Sequence, residues 1–225
     1  MNKGRMSIAL VVLLIILVLL FFGFLGIFGA YKGVWNRLNI MNQKVEGGKS
    51  AYSASLNVCT QKIKGVWTIA NQYIKHESKT FENVAKARAG YFQATEQFEA
   101  LAKNPNTPIK ELTTVGAKTI QSALAFQVQI EAYPQLMAVE TSKEAIAGLQ
   151  EGVNEIKTAL DDWITTIKDY NTYRGSFGVT IVAGFMGEKY PAKIAYYEGE
   201  IKALDIDSLN PDKESKTTPA SVPEK

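Results

Sequence analysis

Hydrophobic and polar positions divide this chain into two regimes. From residue 6 to residue 31 no charged side chain occurs, and the run from Ile8 to Leu25 is Ile, Leu, Val and Phe broken only by Ala9 and Gly23. About 20 apolar residues at ~1.5 Å rise match the ~30 Å hydrocarbon core of a bilayer, where a helix satisfies its own backbone groups. The pattern predicts a transmembrane helix over about residues 6–30, in an anchor of residues 1–31. A cleaved signal peptide is the rival reading. Its apolar region would be only about 7–15 residues long and would end at a small-residue site. Phe28-Gly-Ala-Tyr31 makes a poor cleavage site. Lys3 and Arg5 before the run nearly balance Lys32, Arg37 and Lys44 after it, so the positive-inside rule leaves the side of the soluble part unassigned.

After the run the period changes to that of a one-sided helix. Val34, Leu38, Met41, Val45, then Tyr52, Leu56, Cys59, Ile63, Val66, Ala70 and Tyr73 step by threes and fours, and Phe81, Val84 and Arg88 keep the phase. This predicts one long helical rod, weakened at Gly47-Gly48 and Gly65. Asn104-Pro-Asn-Thr-Pro108 ends it, with Thr107 as N-cap and Pro108 as first residue of the next helix. That helix carries Leu112, Val115, Thr119, Ala123, Phe126 and Ile130 on one face and stops at Tyr133-Pro134. A last helix has a narrow seam of Leu149, Val153, Ile156, Leu160, Trp163, Ile167 and Tyr170. The fold class expected is all-α: the single transmembrane helix, then an antiparallel bundle of long, coiled-coil-like helices over residues 32–200. The Gly-rich apolar stretch from Arg174 to Tyr190 is too short to span. It is expected to cap the bundle end, with insertion into a membrane interface as the alternative. Residues 201–225 are expected to be a disordered polar tail.

Composition narrows the function classes. A net charge of +3 with basic residues scattered among acids argues against nucleic-acid binding. The single cysteine, Cys59, excludes an internal disulfide framework and lies in the apolar phase, so it reads as a small buried hydrophobe. The chain has one histidine, so the two-histidine zinc helix is impossible. Asp161-Asp162 diverge by about 100° around a helix and read as a solvated face rather than a paired carboxylate site. No serine has a neighbouring His-Asp arrangement, and no Gly loop opens a strand-to-helix turn. No enzyme activity and no cofactor is therefore expected. His76, Glu77 and Arg88 read as a buried polar cluster that fixes helix register. It needs partners from other helices, with Glu131 and Asp169 as candidate acids for Arg88. Phe177, Phe185, Tyr190, Tyr196 and Tyr197 are candidates for an interaction surface, with packing on the bundle end as the structural alternative. Tyr31 and Trp35, just past the span, suit the headgroup level.

Several motifs in order resemble the LemA family. Trp35-Asn-Arg-Leu38 resembles its Y-N-x-L, and Asn42 and Val45 its N-x-x-V. His76, Glu77, Phe81, Val84, Ala87, Arg88 and Ala89 match its H-E-x-x-x-F-x-x-V-x-x-A-R-A signature, and Glu131-Ala-Tyr-Pro-Gln-Leu136 its E-A-Y-P-x-L. Tyr170, Asn171, Phe177, Val182-Ala-Gly184 and Gly187 resemble its Gly-rich end region. One stretch departs. Where the family carries R-R-x-D-L-I-P-N-L-V, this chain has Thr60-Gln-Lys-Ile-Lys-Gly-Val-Trp-Thr-Ile69. The resemblance implies a divergent, single-pass protein of the bacterial plasma (inner) membrane with a helical-bundle domain. It supplies no reaction. The expected role is a non-enzymatic scaffold or interaction protein whose partners are the lipid bilayer and a protein, a second copy included. The alternative is a membrane-tethered binding module taking a peptide, lipid or small ligand in a groove between helices.

Overall fold

The computed structural model describes residues 8–74 and 78–204, and every regular element among them is helical. The elements are α1 (Ile8–Ile74), α2 (Ser78–Lys103), α3 (Ile109–Glu131), the short α4 (Pro134–Met137), α5 (Glu140–Gly175), α6 (Phe177–Gly184) and a 3₁₀ turn (Gly187–Lys189). The chain divides into two compact units, Met1–Lys44 with Asp169–Lys193, and Val45–Lys168 with Ile194–Lys225. Residues 1–7, residues 75–77 and most of the expected polar tail lie outside the described residues.

The second unit is an antiparallel helical bundle. Trp67 meets Phe81, Thr60 meets Tyr91 and Tyr52 meets Phe98, so α2 runs back along α1. Tyr52 also stacks on Trp163, and Lys62 pairs with Glu151, which sets α5 antiparallel to α1. Gln150 of α5 donates to Glu131 at the end of α3 (2.6 Å). Across the centre the Tyr52 hydroxyl donates to the Gly116 carbonyl of α3 (2.8 Å). The face read for α3 and the seam read for α5 are buried throughout. The extended residues 194–204 lie along α3, where the Leu204 N–H donates to the Gln121 carbonyl and the Tyr197 N–H to Thr113 Oγ1.

The single rod expected through Arg88 is not what forms. Helix α1 ends at Ile74, and α2, which starts at Ser78, runs antiparallel to it. The phase survives because Val84, Ala87, Tyr91, Ala94 and Phe98 face the same core from the returning helix. A seam of one period looks the same in sequence whether the helix continues or folds back, and no Pro or Gly marks residues 75–77. Two smaller differences share this origin in local geometry. Ile74, not Tyr73, takes the buried position after Ala70, and Tyr73 faces solvent. Thr107 does not cap α3; its hydroxyl donates to the Leu101 carbonyl (2.8 Å) and closes the end of α2, while α3 starts at Ile109.

Gly48, read from sequence as a weak point, is a close-packing position. A Cβ there would lie 2.6 Å from Cδ1 and 3.1 Å from Cα of Trp163. At Gly152 of α5 a Cβ would come 2.8 Å from Cδ of the flexible Lys62 side chain and into ordinary contact, 3.4 Å, with Cα of Cys59. Small residues on each helix let α1 and α5 approach, and Trp163 fills the space beside them.

In the first unit α1 begins with the apolar run, whose large side chains from Leu10 to Phe28 are all exposed. This is the one helix among the described residues long and apolar enough to cross a membrane. From Leu38, which is fully buried, helix α1 turns one side inward. The Arg37 guanidinium lies over the Tyr173 ring (5.0 Å) near the end of α5. After α6, Gly187 adopts a left-handed φ of 70° that a glycine takes without strain. The chain then brings the Lys189 ammonium over Trp35 (5.7 Å).

Candidate functional site

In the bundle unit an open groove lies between α1 and α2. Ser53, Ala54 and Asn57 line it from α1, and Glu99, Ala102 and Lys103 from α2, around a volume of about 610 Å³. Its floor is Leu56 and Phe98, each 1% exposed. Ser53 and Ala54 on one wall and Ala102 on the other are small, so the space above the floor is left unfilled. Lys49 and Lys103 place two cations at its rim, against one acid, Glu99. An apolar floor with a few polar groups at its edge is the chemistry of a pocket for a largely apolar ligand.

Further along the same helix pair lies a cation–aromatic stack. The Arg88 guanidinium sits 5.1 Å from the Trp67 ring and 4.8 Å from the Phe92 ring. Trp67 also packs on Phe81 at 5.3 Å, and the Lys64 ammonium lies 5.7 Å from Phe92. Arg88 was expected to find an acid. Glu131 instead accepts from Gln127 and Gln150, and among the described residues of this unit no carboxylate pairs with Arg88. Its charge is met by ring faces, whose negative quadrupole attracts a cation without the desolvation of a buried ion pair. His76 and Glu77, the other members of the expected cluster, lie outside the described residues. Sequence reasoning missed Trp67 and Lys64. Both fall in the stretch that departs from the family pattern, and Trp67 sits one position off the buried phase at Val66, so neither registers as core.

Between groove and stack the interior is polar, and Thr95 Oγ1 is buried there without a hydrogen-bond partner among the described residues. Thr60 donates to the Leu56 carbonyl (2.8 Å), and the Thr60 and Tyr91 hydroxyls share a 2.8 Å hydrogen bond. Burial raises the Tyr91 phenol well above the ordinary range, and the neighbouring Cys59 adds to this. Burial likewise raises Tyr52 and pushes the Cys59 thiol up to about 11. Cys59 is fully buried, so it is a protonated packing group rather than a nucleophile. Asp161 and Asp162 are both exposed. Among the described residues no three of His, Cys, Asp and Glu gather closely enough to hold a metal ion.

The five aromatic candidates separate. Phe177 opens α6 and Phe185 follows its last residue; they are 84% and 80% exposed, while Tyr190 in the same unit is buried. Tyr196 and Tyr197 are half-buried in the other unit, Tyr196 under the Lys168 ammonium at 5.8 Å. Tyr190 is therefore a packing residue, and Phe177 and Phe185 are the exposed members of the set. Within the Gly-rich stretch Val179 and Ala183 are buried, whereas Phe177, Ile181 and Phe185 are exposed.

Comparison with known proteins identifies a family. The family model described as the LemA family covers residues 49–205, which includes the groove, the cation–aromatic stack and α6. No curated protein and no solved structure matches the chain.

Proposed function

The chain belongs to the LemA family, and on that premise we propose that it is a single-pass membrane protein whose helical bundle has a non-enzymatic scaffolding or interaction role. One observation carries the reading. A single helix, α1, begins as an apolar run exposed on every side and ends as a core element of a bundle. Exposed Leu, Ile and Phe over that length suit the hydrocarbon core of a bilayer. The bundle's large side chains are committed to packing, and its buried hydroxyls chiefly to hydrogen bonds within or between helices. The surface of the helices is what remains for partners, a second copy of the chain among them. Alkaline carbonate extraction of native membranes tests the anchor: the intact chain stays in the pellet and a chain starting near Tyr31 does not. Photoreactive residues on exposed bundle positions then test the role. Discrete protein adducts support it, and adducts confined to lipid or small molecules count against it.

The groove favours a second reading, a tethered binding module. Its volume and apolar floor fit an acyl chain or an apolar peptide side chain. Ala54→Trp fills it from an exposed position. Native mass spectrometry of the full chain would show a co-purifying ligand that this change removes. Identical spectra for parent and variant would sink the groove as a site.

A further inference from the structure

Helix α6 is apolar on two faces and only one of them is covered. Val179 and Ala183, one turn apart, are buried. Phe177, Ile181 and Phe185 follow one another at the same four-residue spacing on another face and are 84%, 51% and 80% exposed. Single exposed hydrophobics are ordinary, but a stripe of three large ones marks a surface with a partner.

The position of the stripe identifies that partner. The chain before α6 is tied to α1 where Tyr173 holds Arg37, and the chain after it where Lys189 meets Trp35. Trp35 and Arg37 follow Tyr31, the end of the uncharged run, by four and six residues, which is about 6 and 9 Å along the helix. Both ends of the α6 segment are thus held within two turns of the apolar run. The surroundings are cationic. In residues 32–44 and 169–193 the basic groups are Lys32, Arg37, Lys44, Arg174, Lys189 and Lys193, against only Asp169 and Glu188. Aromatic and aliphatic side chains flanked by lysines are the make-up of a helix that lies in the interface of an anionic bilayer.

We propose that α6 is a second membrane contact. Its Phe177, Ile181 and Phe185 stripe sits at the headgroup–acyl boundary of the leaflet from which α1 emerges, and Lys189 and its basic neighbours meet anionic headgroups. The proposal rests on the reading of α1 as a membrane span. It gives the chain two points of attachment, a span and an interfacial helix, and so restricts how the protein leans and rotates on the membrane surface.

The test uses the full chain in phosphatidylcholine vesicles containing phosphatidylglycerol. An environment-sensitive fluorophore is placed by cysteine substitution at Val18, Phe177, Phe185 or Lys157, all exposed positions. Buried Cys59 gives the background, measured on the parent chain. The expected result is strong quenching at Phe177 and Phe185 by lipids nitroxide-labelled near the headgroup. Val18 should be quenched by deep-labelled lipids and Lys157 only by aqueous iodide. Quenching at Val18 with iodide-accessible labels at Phe177 and Phe185 overturns the α6 contact and leaves the anchor standing. Labels at those two positions shielded from both lipid and iodide overturn it in favour of a protein partner. No lipid quenching at Val18 overturns the span and this inference together.

Discussion

Gly47 and Gly48 are neighbours with opposite roles. Gly48 faces α5, and a methyl group there meets the Cα and indole of Trp163. Gly47 has open space where its Cβ would be. Gly47→Ala should therefore stabilise the fold by up to about 1 kcal/mol through helix propensity. Gly48→Ala gains the same propensity but overpacks a contact that contains backbone, at a cost of about 1–3 kcal/mol. Urea denaturation of the detergent-solubilised chain distinguishes them, and equal shifts would refute the close approach of α1 and α5. Arg88 makes a second case. A broken buried ion pair would cost about 3–5 kcal/mol, but a guanidinium between two rings is worth about 0.5–2 kcal/mol. Arg88→Met should lower the melting temperature by the smaller amount. Lys86→Met removes an exposed i,i+4 pair with Glu82 and should cost at most about 0.5 kcal/mol. A loss at Arg88 in the larger range would mean that an acid does face it.

At the level of elements, the sequence carried direction poorly and face well. The seam from Leu149 to Tyr170 was legible because every step keeps the helical period and every residue in it is buried. The stop at Tyr133-Pro134 was legible because proline cannot continue a helix. The reversal after Ile74 was not, since both α1 and α2 contribute the same kind of stripe to the same core. Of the candidate sites, exposed Phe177 and Phe185 could be named from sequence, whereas the groove depends on small residues from two helices whose pairing no local pattern reveals. Spin labels at Gln61 and Ala89, both exposed, separate the two topologies. In a continuous rod these 28 residues would hold the labels about 42 Å apart. In the bundle they flank the hydrogen bond between Thr60 and Tyr91 and should give a distance less than half of that by pulsed electron resonance. A distribution centred near the rod value would overturn the antiparallel pairing of α1 and α2.

On the scale of the whole chain, two parts should respond differently to alkali. The bundle buries Tyr52, Tyr91 and Cys59 protonated, while the apolar run before Tyr31 has no titrating group. The sign follows from proton binding. The folded Cys59 holds its proton up to about 11, against 9.0 for the ordinary thiol, so between those values the unfolded chain releases protons that the folded chain keeps. Stability is fully present below pH 9 and falls as pH rises toward 11. That shift of about two units corresponds to about 2–3 kcal/mol from Cys59 alone, and the tyrosines act in the same direction. Proteinase K added to open membrane sheets should therefore leave the bundle largely resistant at pH 8 and cut it with increasing ease above pH 9. A protected fragment holding the apolar run should survive throughout, because lipid rather than protein packing shields it. Cys59→Ala should move the onset of cleavage to higher pH. An onset that does not move with the cysteine would show that the thiol does not titrate in this window. Loss of the fragment together with the bundle would place α1 outside the bilayer, and the exposed surface of its first 24 residues would then need a protein partner of its own.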